Sequence, residues 1–166
     1  ALRVRPEQPD DAPHLVDLFQ HLGPMSRYLR FNKALVAPDP ERIHQEAERL
    51  ARLGPPQELA WLAFADLPEQ PDAPVAGARC ALLGPERAEL ALSVRDDMQR
   101  QGIGSTMLKY VLEQARARGI REMVAIFRAD NRGVWELLKH SPYPVSRELR
   151  GIETEAVIHL DDEPAA

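Results

Sequence analysis

Residues 99–105 read Gln-Arg-Gln-Gly-Ile-Gly-Ser, and Gly102 and Gly104 stand where a long amphipathic helix begins. Glycine is a poor helix former, so two of them at one helix start need a reason. The first N–H groups of a helix have no intrahelical acceptor, and the helix dipole favours negative charge at that end. Glycine lets a bulky anion approach the backbone there, and Ser105 adds a hydroxyl. The chemistry on offer is phosphate binding. The Walker pattern does not fit, because no Gly-Lys-Ser/Thr follows. The Rossmann fingerprint does not fit either, since it needs three glycines in its own spacing on a first βαβ unit. On these residues alone, a loop whose glycines only turn the chain stays open as the alternative.

A second group is Glu89, in the run RAELALSV at 87–94. On a strand, Leu90, Leu92 and Val94 share one face and Glu89, Ala91 and Ser93 the other. A carboxylate beside two small residues suits the floor of a cleft, where it can act as a general base. An ordinary solvent-facing glutamate is the other reading. Cys80 is the lone cysteine, which excludes an intramolecular disulfide, and it sits mid-strand with no evident activating partner. His14 and His21 are seven residues apart, too loose a spacing to make a metal site from two residues, and no metal is expected.

The elements that must position these groups follow from periodicity. Residues 2–5 alternate and predict a short strand. Leu15, Val16, Leu18, Phe19 and Leu22 recur at helical spacing, and Gly23-Pro24 ends that helix. Residues 26–35 predict a short amphipathic helix, and Ile43, Ala47, Leu50 and Ala51 mark another. The period then changes. Strands are predicted at 58–66, 75–83 and 87–94, with a proline-rich loop at 67–74. Their short connections make an antiparallel meander. A helix over 103–118 follows, with Ile103, Met107, Leu108, Val111, Leu112 and Ala115 on its apolar face and Gly119 as its stop. A strand at 120–127, a helix from 131 to 140, and strands around 143–149 and 153–160 complete the order.

The chain has 166 residues, 44% hydrophobic and 28% charged, which is the profile of one globular domain with a real core. One domain is expected over 1–161, with a short acidic tail at 162–166. No apolar run approaches a membrane span, and no signal-peptide pattern opens the sequence; the expected location is the cytoplasm. A net charge of −5 argues against nucleic acid as the main partner, because phosphate backbones need a basic face.

The run VRDDMQRQGIG at 94–104 resembles the acyl-CoA loop of the GNAT superfamily of N-acetyltransferases. That family's pattern is Gln/Arg-x-x-Gly-x-Gly/Ala at the end of the fourth strand, filled here by Gln99, Gly102 and Gly104. The order of elements is also the family's. The runs RPEQPDDAPHLVDLFQHLGPMSRYLRF, AELALSVRDDMQRQGIG and ADNRGVW further resemble the catalytic domain of bacterial Pat-type protein-lysine acetyltransferases. The sequence in hand lacks the large CoA-ligase-like or nucleotide-binding domain that such enzymes often carry.

The resemblance implies an α+β fold with a mostly antiparallel twisted sheet of about six to seven strands and about four to five helices. It implies acetyl-CoA as cosubstrate and a primary amine as acceptor, a protein lysine by the Pat likeness or a small amine such as an amino acid, polyamine or antibiotic, in a monomer or homodimer; a non-catalytic acyl-CoA-binding or regulatory module is the alternative reading. The pantetheine arm would pair with the backbone of Leu92, Ser93 and Val94, and the N–H of Val94 would hold the oxyanion. The pyrophosphate would sit on the N–H groups of Gln99, Arg100, Gln101, Gly102, Ile103, Gly104 and Ser105, with the Arg100 side chain adding charge unless it is a solvated surface arginine. Asn131 matches the family's helix-opening asparagine and also suits a plain N-cap. A lysine amine has a reference pKa of about 10.4, so the attack needs a base, and Glu89 is the candidate. The family's usual proton donor, a tyrosine seven residues beyond the asparagine, is Leu138 here. Tyr28 is placed on the wall of an acceptor tunnel, with the core as the other reading; Phe31 is placed in the core, and Trp135 in the core first and against the cofactor second.

Overall fold

In a computed structural model, the structure describes residues 2–22, 40–52, 58–99 and 101–161. The elements are β1 (Arg3–Pro6), α1 (Ala12–Gln20), α2 (Pro40–Arg52), β2 (Glu58–Leu67), β3 (Gln70–Leu82), β4 (Arg87–Val94), a 3-10 turn (Asp96–Met98), α3 (Ile103–Ala117), β5 (Glu122–Arg128), α4 (Arg132–Lys139), β6 (Val145–Arg150) and β7 (Glu153–His159). The seven strands form one sheet in the order β1-β2-β3-β4-β5-β7-β6. Every neighbouring pair is antiparallel except β4 and β5. This is the mixed α/β architecture expected from the sequence, with four α-helices among the described residues. None of them is long and apolar enough to cross a membrane.

Alternation along the strands sorts the core into two layers. Trp61 and Ala63 face one way and join Met107, Leu108, Val111 and Leu112 of α3. Leu62 and Phe64 face the other way and meet Leu15, Leu18 and Phe19 of α1 with Ile43, Ala47 and Leu50 of α2. The six apolar positions predicted for α3 are its six buried residues. Its end is a Schellman motif: Gly119 takes φ +87°, Ile120 N donates to Ala115 O (3.1 Å) and Gly119 N to Arg116 O (3.0 Å).

One sequence expectation is corrected. The proline-rich loop at 67–74 is strand except for its two-residue tip, since β2 reaches Leu67 and β3 starts at Gln70. The prolines are tolerated because the ladder is irregular there. The register shifts between Ala63 and Phe64, which pairs with Pro74, and again between Ala65 and Leu67. Asp72 adopts φ +53° and donates its N–H to Asp66 Oδ1 (2.8 Å). A residue without an N–H costs least at such a bulge. The predicted helix at 26–35, with Tyr28 and Phe31, lies outside the described residues.

Asp11 joins β1 to the start of α1. Its carboxylate, 2% exposed, accepts from Arg5 Nη1 (2.7 Å) and Nη2 (2.8 Å) and from Gln8 N (2.6 Å), with His14 Nδ1 at 2.9 Å. Burial by itself pushes the Asp11 pKa up; the hydrogen bonds from Arg5, Gln8 and His14 together outweigh it and bring it from 3.8 down to about 2. A depressed carboxylate contributes stability above its unfolded pKa and loses it as pH falls through the folded one. Asp11 is therefore expected to contribute about 2 kcal/mol that disappears between pH 3.8 and about 2. Thermal melts of Asp11→Asn should start lower at neutral pH and lack that part of the acid slope.

Candidate active site

The seam between β4 and β5 is short. Arg87 pairs with Glu122, Ala88 with Met123 and Glu89 with Val124, and the register ends there although both strands run on. Past that point lies a cleft of about 460 Å³. Leu90, Leu92 and Val94 line it from β4, Ala125 from β5, Gly102, Gly104 and Ser105 from the start of α3, and Asn131, Leu137 and Leu138 from α4 and its cap. The wall is apolar along the strands and rich in backbone donors at the helix end.

The two glycines are there for different reasons. Gly102 is the N-cap of α3 at φ +81°, a conformation that costs other L-residues about 1 kcal/mol or more. The helix ladder begins with Thr106 N donating to Gly102 O (3.0 Å), so the N–H groups of Ile103, Gly104 and Ser105 precede it, and Gly104 and Ser105 line the cleft. Gly104 lies opposite Leu137 and Val94. A Cβ there would lie 3.4 Å from Leu137 Cδ1 and 3.7 Å from Val94 Cγ2, and so would fill cleft space.

The remaining loop residues divide by task. Gln99 Nε2 donates to Val94 O (3.2 Å) and Asp96 Oδ1 (3.3 Å), which closes the turn between strand and helix. Gln101 is exposed, and the Ile103 side chain turns into the core, leaving each a backbone role at most in the cleft. Arg100 lies outside the described residues. Asn131 Oδ1 accepts from Val134 N (3.2 Å) as the N-cap of α4 and also lines the cleft.

Glu89 faces the opposite side of the sheet from the cleft. Register pairs it with Ala81, Ala91 with Arg79 and Ser93 with Gly77. Gly77 abuts Leu18 of α1, so this is the face that α1 and α2 cover. Glu89 is half-buried; burial raises its pKa above 4.5, and the nearby Glu155 raises it further. Ser93 Oγ, on the same face, is buried without a hydrogen-bond partner. Burial pushes the Cys80 thiol up to about 12, which leaves it inert as a nucleophile.

A sequence model of the Acetyltransferase (GNAT) family matches residues 25–141. The chain belongs to the GNAT family of acetyltransferases. It is 25% identical over 138 residues to a curated acetyltransferase of Pseudomonas aeruginosa, covering 81% of this chain and 70% of that one. The fold is also that of the GNAT domain of S. lividans PAT, at TM-score 0.77 and 23% identity, over 95% of this chain and 90% of the other. The PaiA N-acetyltransferase of Thermoplasma acidophilum, solved in complex with coenzyme A, superposes at TM-score 0.72 with 15% identity over 96% and 99% of the two chains.

This GNAT chain departs from the usual family pattern at Leu138. Leu138 is fully buried and forms apolar wall of the cleft, so no hydroxyl stands at that position. His140, two residues on, does border the cleft, with Nδ1 held 2.7 Å from Glu136 O. His14 and His21 serve separate pairs, with Asp11 and Asp17. Trp135 is half-buried and lies under the Arg147 guanidinium (4.1 Å), a packing role. Sequence reasoning missed the buried ions of this GNAT domain: Asp11, Arg95, and Arg79 with Glu7 (2.6 Å). Periodicity carries no signal for them, because a charged residue reads as exposed until its partners are seen, and for Arg79 the partner Glu7 lies 72 residues away.

Proposed function

We propose that residues 1–161 form one catalytic domain of a cytoplasmic enzyme that transfers acetyl from acetyl-CoA to a primary amine, a protein lysine in the first instance. The observation that carries the reading is the position of β4. One of its faces lines the cleft with Leu90, Leu92 and Val94, and the other carries Glu89 just where β4 and β5 part. The donor and the acceptor can therefore meet through the gap from opposite faces. The protein-lysine acceptor is supported by the Pat-like runs at 5–31, 88–104 and 129–135.

The cleft fits coenzyme A in its donor set. Three N–H groups ahead of the α3 ladder, the positive end of the helix dipole, and the missing side chains of Gly102 and Gly104 suit a pyrophosphate. The apolar strand wall suits the pantetheine arm. Glu89, directly or through a water, takes a proton from the acceptor ammonium. The freed amine attacks the thioester carbonyl carbon, the C–N bond forms, and the Val94 N–H stabilises the oxyanion. The nitrogen releases its second proton to water as the tetrahedral intermediate collapses, and the C–S bond breaks. Leu138 offers no proton, and the leaving group departs as thiolate, which a thiol pKa of about 8.5 permits.

The test is a calorimetric titration of the protein with acetyl-CoA, followed by thiol-release assays with lysine peptides, polyamines and free amino acids. Saturable binding and turnover with lysine peptides are expected. No binding would overturn the site. Binding with turnover on small amines alone would overturn the lysine assignment.

A further inference from the structure

We infer that Arg95 is a positioning residue for acetyl-CoA, setting the loop between β4 and α3 from beneath and bracing it against the C-terminal end of α1. The inference rests on the reading of that loop as the acetyl-CoA site.

Arg95 is the first residue past β4 and is 5% exposed. A guanidinium buried this far is retained only with its charge paired and its donors used. Its backbone N–H donates to Val75 O (2.9 Å), which carries the β3 pairing one residue beyond the strand. Its side chain grips Asp97 with two parallel bonds, Nε to Oδ1 at 3.0 Å and Nη2 to Oδ2 at 2.9 Å. Asp97 lies on the 3-10 turn with an exposed side chain, so packing does not hold it; the Arg95 fork does. The same contact holds the Asp97 carboxyl below its usual range. Two residues after Asp97, Gln99 ties back to Val94 O, and the chain then enters Gly102. The fork thus fixes the turn that leaves β4, from Val94 to Gln99.

The brace runs outward from the same guanidinium. Nη1 reaches Gln70 Oε1 at 3.5 Å, and Gln70 Nε2 donates to Asp17 Oδ2 at 2.7 Å. Asp17 is on α1, and its Oδ1 lies 3.1 Å from His21 Nδ1. His21 O in turn accepts from Asp96 N at 3.0 Å, which closes a ring back to the loop. The loop is joined to α1 once through side chains and once through backbone. α1 packs on the face that carries Glu89. A single buried cation therefore links the donor loop to the helix that covers the acceptor face.

Arg95→Met, Arg95→Lys, Asp97→Asn and the Arg95→Met/Asp97→Asn double variant test this. Calorimetry gives the acetyl-CoA Kd, and steady-state assays separate KM from kcat. Arg95→Met is expected to raise Kd and KM for acetyl-CoA roughly tenfold while kcat at saturation stays within about threefold. Arg95→Lys should recover part of the loss. The double variant should be no worse than Arg95→Met, because both changes remove one contact. Unchanged Kd in Asp97→Asn, or a lower Tm in Arg95→Met with unchanged Kd, would overturn the inference and leave Arg95 a structural ion pair. If Arg95→Met does not fold, Asp97→Asn decides, since its exposed side chain can change without emptying the core. Failure of the wild type to bind acetyl-CoA is a different result and removes the reading of the loop itself.

Discussion

Replacing Glu89 by glutamine is expected to lower kcat by about 10²- to 10⁴-fold, the range that a positioned general base contributes. Acetyl-CoA binding should stay within about twofold, because Glu89 faces away from the cleft that Leu90, Leu92 and Val94 line. The pH profile provides a second readout. Burial, then the charge of Glu155, raises the Glu89 pKa above 4.5, so wild-type kcat/KM should fall as pH drops through that raised value. Residual turnover in the variant should lack this limb. Stability separates lost chemistry from lost fold. A carboxylate whose folded pKa is raised costs the native state stability above that pKa and none below the unfolded value. Glutamine removes the cost, so the variant should melt no lower than the wild type at neutral pH. Unchanged turnover in Glu89→Gln would remove Glu89 from the reaction. A wild type that binds acetyl-CoA and turns over no amine would instead favour a non-catalytic acyl-CoA-binding module.

Gly104→Glu is expected to weaken acetyl-CoA binding by about 100-fold or more. Two effects act in the same direction. Even a Cβ at this point lies 3.4 Å from Leu137 and 3.7 Å from Val94, so a longer side chain must occupy the cleft. Its carboxylate also brings negative charge to the helix end that would receive phosphates. The helix itself should tolerate the change, since glutamate in a first turn complements the dipole and glycine is the poorer helix former. Calorimetry should show the loss while circular dichroism and Tm stay near those of the wild type. Gly104→Ala should bind more weakly than the wild type and better than the glutamate variant, because its methyl makes ordinary contact. Retained binding in Gly104→Glu would put the phosphates somewhere else.

Much of this frame is legible without coordinates, for reasons specific to each part. The face of α3 is readable because six apolar residues repeat with the helical period and all six are buried. The strand RAELALSV is readable because alternation separates Leu90 and Leu92 from Glu89 and Ser93, and the sheet keeps that separation. The tip at 67–74 misleads because proline marks a break in the local pattern, whereas a bulged hairpin absorbs it through register shifts that only pairing reveals. The loop glycines are readable as a site but not in their division of labour. That one serves a positive φ and the other an empty volume depends on Leu137, more than 30 residues away. Arg95 looks like one surface arginine among many, because its side-chain partners, Asp97 on the 3-10 turn and Gln70 on β3, are brought to it only by the fold.

The short seam between β4 and β5 leaves the sheet unfinished: β3 flanks β4 along its length, while β5 keeps register with it for three residue pairs only. Under the proposed function, the molecule that fills the gap is the acyl donor, which then acts as a removable strand. Occupancy of that gap favours the native state by about 2.7 kcal/mol when the donor stands at 100 times its Kd. The abundance of this protein would then follow the metabolic supply of its donor: a starved cell would unfold and degrade it sooner, and a well-fed one would preserve it, by mass action alone.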